Sequence, residues 1–266
     1  GRVVNVIGSP IDGMLLAASM VLGLAACGGN SGSTTTQTQA AGGDTTATEA
    51  AAETEAAASN FAPGTKIFKT IETFPYPSLD PQKDYYAWHS QFYGVTETLF
   101  KINDQLQIEP WLAESMTQEG NVNTIKIKDA ACFSNGTDLT AEMMIKCFER
   151  LADVNVRWEM AKNWTFEAPD AKTLVITTPE PFPTLINELT NPETCALDMD
   201  ATTDFDNNPI ATGAFVVDEF IPEGDMSVLK NENYWDGEVK LDGAKFFAIT
   251  DEDAKLLAMQ NGEIDG

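Results

Sequence analysis

Residues 133–154 read FSNGTDLTAEMMIKCFERLADV. Asn135-Gly136 is tight-turn chemistry, because both residues tolerate the left-handed backbone that such turns require. Four residues on, Thr140 has the hydroxyl that an N-cap needs, and the run from Leu139 repeats its apolar residues at helical spacing. The stripe Met144, Cys147 or Phe148, and Leu151 predicts an amphipathic helix with one buried face. Just upstream, Asn123 to Lys128 alternates apolar and polar side chains, the period of a half-buried strand. A strand, a tight turn and a capped helix in succession require a sheet for that helix to cover.

The flanking sequence supplies more strands than helices. Lys66 to Thr73 (KIFKTIET) alternates, and Pro75, Pro77 and Pro81 then force an extended loop, PYPSLDPQ. Further strands are predicted at Thr173 to Thr177, Ala214 to Phe220, Met226 to Lys230 and Lys245 to Ile249. Tyr86 to Ile102, with Trp88, Phe92, Val95 and Leu99 at helix-like intervals, predicts a second amphipathic helix. A last helix is predicted from about Glu252 to Gln260. Strands mixed with isolated helices and proline-bearing loops predict an α+β, mixed α/β fold.

Composition limits what such a fold can do. The 266 residues carry 16 Lys+Arg against 41 Asp+Glu, a net charge of -25, which repels phosphate backbones and anionic headgroups. Nucleic acid is therefore excluded as a partner, and so is docking to a membrane by charge. The single histidine, His89, rules out multi-histidine metal sites, and four scattered cysteines (27, 132, 147, 195) form no CxxC pair.

The chain divides into four pieces. Gly1 to Gly13 (GRVVNVIGSPIDG) resembles a short stretch of the catalytic-type subunits of rotary ATP synthases, but no G-x-x-x-x-G-K-[ST] loop accompanies it. Residues 1–13 are expected to be an anomalous, chimeric leader without bearing on the fold. Met14 to Ala26 is uncharged and apolar but shorter than the about 20 residues that cross a bilayer as a helix, so it suits a secretory signal. Leu24-Ala25-Ala26-Cys27 resembles the bacterial lipobox, which implies diacylglycerol on the Cys27 thiol and a membrane anchor. Residues 28–60, rich in Gly, Ser, Thr and Ala, have no aromatic or large aliphatic side chain and are expected to be a disordered tether of about 30 Å reach. Arg2 and Asp12 cancel, and only Asp44, Glu49, Glu53 and Glu55 charge the tether, so most of the acidity belongs to residues 61–266.

Within that part the order of short motifs is informative. Leu79-Asp80-Pro81, Glu97-Thr98-Leu99-Phe100, Pro110-Trp111-Leu112-Ala113-Glu114, Phe133-Ser134-Asn135-Gly136-Thr137, Leu139-Thr140-Ala141-Glu142 and Phe148-Glu149-Arg150 come first. Ala211-Thr212-Gly213-Ala214-Phe215, Lys230-Asn231-Glu232-Asn233-Tyr234-Trp235, Leu241-Asp242 and Asn261-Gly262-Glu263-Ile264-Asp265 follow. This ordered set, covering nearly all of 79–265, resembles the first lobe of family 5 extracellular solute-binding proteins, which serve ABC importers of peptides, nickel chelates and some oligosaccharides. The chain departs from the family pattern at Asn135, where Asp is usual, at Met143 or Met144, where an acid is common, and near Met116, where a Trp is usual.

The resemblance implies a periplasmic-binding-protein-like type II lobe, with the segment matching Gly262 to Asp265 leading across a hinge into a second lobe of comparable size. Residues 61–266 are therefore expected to supply the first lobe only, in a monomer at the outer face of the cytoplasmic membrane. The implied partners are an oligopeptide or small solute and the ABC permease subunits; the alternative is a tethered cell-surface adhesion domain. No catalytic residue is expected, since His89 is the only imidazole base and no G-x-S-x-G occurs, and neither a cofactor nor a metal is implied.

Candidate ligand contacts are Tyr85, Tyr86, Trp88 and His89, aromatic side chains with polar tips of the kind that line solute pockets. Thr212-Gly213, which by the resemblance borders hinge and cleft, joins them because glycine admits close backbone approach. Asp198-Met199-Asp200 lacks the glycine and terminal glutamate of a calcium loop. Cys147 could pair with Cys132 or with Cys195, or all three could be buried thiols.

Overall fold

A computed structural model describes residues 61, 62 and 64–266, and the expectations for residues 1–60 lie outside the described residues. In chain order its elements are β1 (Ile67–Glu72), α1 (Ala87–Phe92), β2 (Phe100–Ile102), β3 (Ile108–Pro110), β4 (Ala113–Glu119), β5 (Val122–Ile127) and α2 (Ala141–Val154). There follow β6 (Thr165–Asp170), β7 (Thr173–Thr177), α3 (Leu185–Glu188), β8 (Phe215–Phe220), β9 (Met226–Lys230), β10 (Gly243–Ala248) and α4 (Glu252–Asn261).

Two four-stranded sheets organise the lobe. One is antiparallel, in the order β4-β5-β7-β6, and α2 lies against β6 and β7. The other runs β1-β10-β9-β8, parallel between β1 and β10 and antiparallel elsewhere, so the sheet is mixed as expected. Thr140 Oγ1 accepts from Met143 N at 3.1 Å, and α2 buries Met144, Cys147, Phe148 and Leu151. Most of that face joins a core with Ile125, Ile127, Leu174, Ile176 and Trp158. Cys147 instead belongs to a second core, with Leu79, Tyr93, Phe215, Val228 and Phe246 under the mixed sheet. The Asn135-Gly136 turn forms as predicted: Gly136 has φ +84° and its N–H donates to Phe133 O at 2.8 Å.

The predicted helix over 86–102 is cut to the six residues of α1. Gly94, at φ +72°, leaves the right-handed spiral, and Ser90 O accepts from both Val95 N and Thr96 N. Val95 and Leu99 are buried on the extended segment that follows, whereas Trp88 and Phe92 face outward. Strands β4 and β6 gave no sequence signal because they are sheet edges with mostly exposed side chains, and β6 contains Pro169. Cys132, Cys147 and Cys195 are free thiols; Cys147 Sγ donates to Leu197 O at 3.3 Å, and burial pushes its pKa up to about 12. No described helix is long and apolar enough to cross a membrane.

Candidate functional site

The proline-bearing loop after β1 and the short α1 together build an aromatic face. The loop is fixed from below. Ser78 Oγ donates to Asp206 Oδ1 at 2.6 Å, and Arg150 grips the buried Asp80 carboxylate with both terminal nitrogens at 3.1 and 2.5 Å. That bidentate pair, with Gln82 Oε1 accepting from Arg150 at 2.8 Å, ties the loop to α2. Ser90 Oγ then donates to Leu79 O at 2.6 Å and seats α1 on the loop.

His89 lies inside this face. Its Nδ1 is 3.2 Å from Glu72 Oε2, and the same carboxylate oxygen accepts from Tyr93 Oη at 3.0 Å. Burial alone would raise the Glu72 pKa, but its bonds with His89, the Phe74 N–H and Tyr93 outweigh that and hold it below the ordinary value. Burial and the neighbouring Glu72 charge push the Tyr93 phenol upward, so it stays a donor. The Tyr76 ring covers His89, with centroids 3.6 Å apart, and meets Tyr85 and Tyr86 edge-on at 5.7 and 5.6 Å.

Tyr85, Trp88 and Phe92 remain exposed to 58%, 62% and 56%, and Phe74 to 71%. Trp88 and Phe92, four residues apart, share one side of α1. Tyr85 stands in the turn that leads into it, its ring 5.7 Å from Tyr76 and 5.5 Å from Tyr86. The face is therefore a solvent-facing aromatic platform resting on a buried Glu72–His89–Tyr93 cluster. Four of the sequence-predicted residues, Tyr85, Tyr86, Trp88 and His89, meet here. Phe74, Tyr76 and Glu72 were missed, although the density of FPYP (residues 74–77) was a visible signal.

Thr212 and Gly213 lie elsewhere, buried where the start of β8 crosses the exit of α1. Thr212 is fully buried. Gly213 N–H donates to Val95 O at 2.9 Å, and Phe215 N–H to Gly94 O at 3.0 Å. The close approach expected of Gly213 is real, but its neighbour is backbone.

Beside it, Glu97 is 3% exposed and accepts from Tyr234 Oη at 2.8 Å and Trp235 Nε1 at 2.7 Å. Burial pushes its pKa up to about 7 against the pull of those donors. A cavity of about 90 Å³ adjoins it, lined by Gln91, Gly94, Thr96, Glu97, Trp111, Ala214 and Tyr234. Glu97 stands in the Glu97-Thr98-Leu99-Phe100 motif, but nothing in a single sequence marks an acid as buried. Among the described residues no group of His, Cys, Asp and Glu is arranged to hold a metal ion.

The mixed-sheet α/β architecture is that of one lobe of a type II solute-binding protein. Residues 107–266 match the model of bacterial extracellular solute-binding proteins, family 5 Middle, and the chain belongs to that family. It is 31% identical over 150 residues to the nickel-binding protein NikA of Staphylococcus aureus, covering 56% of this chain and 30% of that protein. It is 28% identical over 207 residues to the glutathione-binding protein GsiB of Escherichia coli, covering 74% and 39%.

Among solved structures, the nickel ABC transporter protein of Bacillus halodurans superposes with a TM-score of 0.71 at 36% identity, covering 75% of this chain and 42% of that one. NikA of S. aureus in complex with Ni(L-His)2 gives 0.70 at 26% identity, covering 75% and 43%. The chain thus spans less than half the length of these relatives. The family is extracellular or periplasmic and non-catalytic.

Proposed function

We propose that this chain is the first lobe of the extracytoplasmic substrate-binding component of an ABC importer, taking up a peptide or similar small solute and delivering it to a permease. The observation that carries this reading is the exposed aromatic platform, whose rings face solvent beside the Glu72–His89–Tyr93 cluster instead of being drawn into the core. Large apolar rings gathered at the surface of a secreted domain mark a binding face. The nickel–histidine chelate and glutathione named for the relatives support a small solute rich in polar nitrogen and carboxylate groups.

In this reading Tyr85, Tyr86 and Trp88 touch the solute and His89 orients the rings from beneath. Thr212 and Gly213 hold the α1 exit in place without touching solute. Closure of a second lobe would supply most of the affinity, because only a solute bridging two lobes favours the closed state. Residues 61–266 alone are therefore expected to bind peptides more weakly than micromolar, as read by isothermal calorimetry. Sub-micromolar binding by this segment would overturn the two-lobe mechanism. Capture of permease subunits by the membrane-tethered protein separates the importer from a cell-surface adhesion domain, which would capture none.

The anchor is part of the same proposal. Diacylglycerol on Cys27 would hold the lobe at the membrane, with residues 28–60 as the tether. Cys27→Ser is expected to move the protein from the membrane fraction to the soluble one, followed by immunoblot. Unchanged membrane retention would refute lipidation at this residue.

A further inference from the structure

We propose that the solute presents a cationic nitrogen group, an ammonium, guanidinium or imidazolium, to the platform formed by Tyr85 and Trp88; this rests on the reading of that face as the solute contact. Aromatic faces carry negative quadrupole potential and attract cations, tryptophan most strongly. Charge around the rings reinforces that sign. Asp84 directly precedes Tyr85 and is exposed. Glu223, also exposed, is brought to the platform by its N–H, which donates to Tyr76 O at 2.8 Å. Glu72 lies beneath the rings and is held in the ionised form by its donors.

No free cation offsets these carboxylates within the stretch that builds the face. Between Glu72 and Tyr93 the only basic side chains are Lys83 and His89. Lys83 pairs with Asp206 at 3.2 Å and lies in a cleft with Asp80 and Arg150, and His89 is bound to Glu72 at 3.2 Å. A solute carboxylate set on the platform would exchange water for ring faces and like charges, which is unfavourable. A cationic group would exchange water for ring faces and nearby carboxylates, partners of opposite sign. On this lobe the platform therefore selects the cationic end of a zwitterionic solute.

The test uses the full chain with three capped tripeptides that differ only at the centre, Ala-Lys-Ala, Ala-Leu-Ala and Ala-Glu-Ala, acetylated and amidated so that no terminal charge intervenes. Binding is read at millimolar concentration by NMR chemical-shift changes at the Tyr85 ring, which every variant retains, and at the Trp88 indole where it is present. The lysine peptide is expected to bind about tenfold more tightly than the leucine peptide, and the glutamate peptide more weakly than both. Trp88→Ala should abolish the lysine preference while leaving the far-UV circular dichroism unchanged, since this side chain is exposed. The double variant Asp84→Asn, Glu223→Gln should reduce the preference and its sensitivity to salt.

Equal binding of the lysine and leucine peptides, or tighter binding of the glutamate peptide, would overturn the cationic class. Glutathione binding at the Trp88 indole without any response to the capped peptides would also overturn it, yet leave the solute-binding reading standing. No response to any of the four would remove both.

Discussion

Gly213→Ala is expected to cost about 3 kcal/mol or more of stability and to lower the melting temperature by about 10 °C. A Cβ at this position would sit 2.2 Å from Gly94 O and 2.5 Å from both the carbonyl carbon and oxygen of Val95. These obstacles are all backbone, so no rotamer change relieves them. They are also pinned, since Gly213 N–H and Phe215 N–H donate to those same two carbonyls. Asn231 Nδ2 holds the third side by donating to Gly213 O at 2.7 Å. Either the strand entry or the α1 exit must move by more than an ångström, and both carry buried hydrogen bonds.

Gly237→Ala is the matched control. There the added Cβ meets nothing within 4 Å, and only the φ of +95° is unfavourable, a penalty of about 1–2 kcal/mol. Urea denaturation of both variants tests the assignment. A Gly213→Ala midpoint equal to that of Gly237→Ala would show that the crossing is loose.

That crossing also shows what one sequence can convey. The period of two revealed β5 and that of 3.6 revealed α2 because each buries one face and exposes the other. β1, β7, β8, β9, β10 and α4 were also located, although their burial is less regular: β10 begins buried on both faces and α4 buries only Ala258. Periodicity failed over 86–102, where Trp88, Phe92, Val95 and Leu99 keep helical spacing but answer to different demands. The first two are held outward at the platform, and the last two are buried on an extended segment beyond Gly94. Spacing alone cannot distinguish a residue turned toward solvent from one turned toward the core.

Candidate site residues divide along the same line. Tyr85, Tyr86, Trp88 and His89 were legible because aromatic density next to a proline-rich loop is unusual in a core strand or helix. Gly213 was legible as a close approach, but its neighbour, the carbonyl of Gly94, lies more than a hundred residues earlier in the chain. Glu97 was visible as part of a motif, but nothing local marks it as buried. Its partners are Tyr234 and Trp235, and only the fold brings them to it.

Glu97 carries the second large effect, and its sign runs opposite to that of most buried ion-paired acids. Tyr234 packs on the core under the mixed sheet and Trp235 on the core under α2, so the one carboxyl joins both halves of the lobe. Burial raises its pKa from 4.5 to about 7 in the folded chain. Between those values the folded protein keeps a proton that the unfolded chain has released. Its stabilising contribution is therefore complete below about pH 4.5 and is lost as pH rises through 7, by about 3 kcal/mol in all. Glu72, with its pKa lowered, acts in the other direction and loses its contribution only on acidification.

Urea denaturation at pH 5 and pH 7.5 should accordingly show wild-type stability falling across that interval. Glu97→Gln, which cannot titrate, should remove most of the fall while keeping an acceptor for one of the two donors. Glu97→Ala should be weaker than Glu97→Gln at pH 5, because it leaves Tyr234 Oη and Trp235 Nε1 without their acceptor at about 1–3 kcal/mol each. A Glu97→Gln variant with the wild-type pH slope would place the titrating group elsewhere. A fall confined to Glu97 would instead identify the joint between the two cores as a part of the lobe that loosens toward neutral pH, immediately behind the segment that carries α1 and its aromatic face.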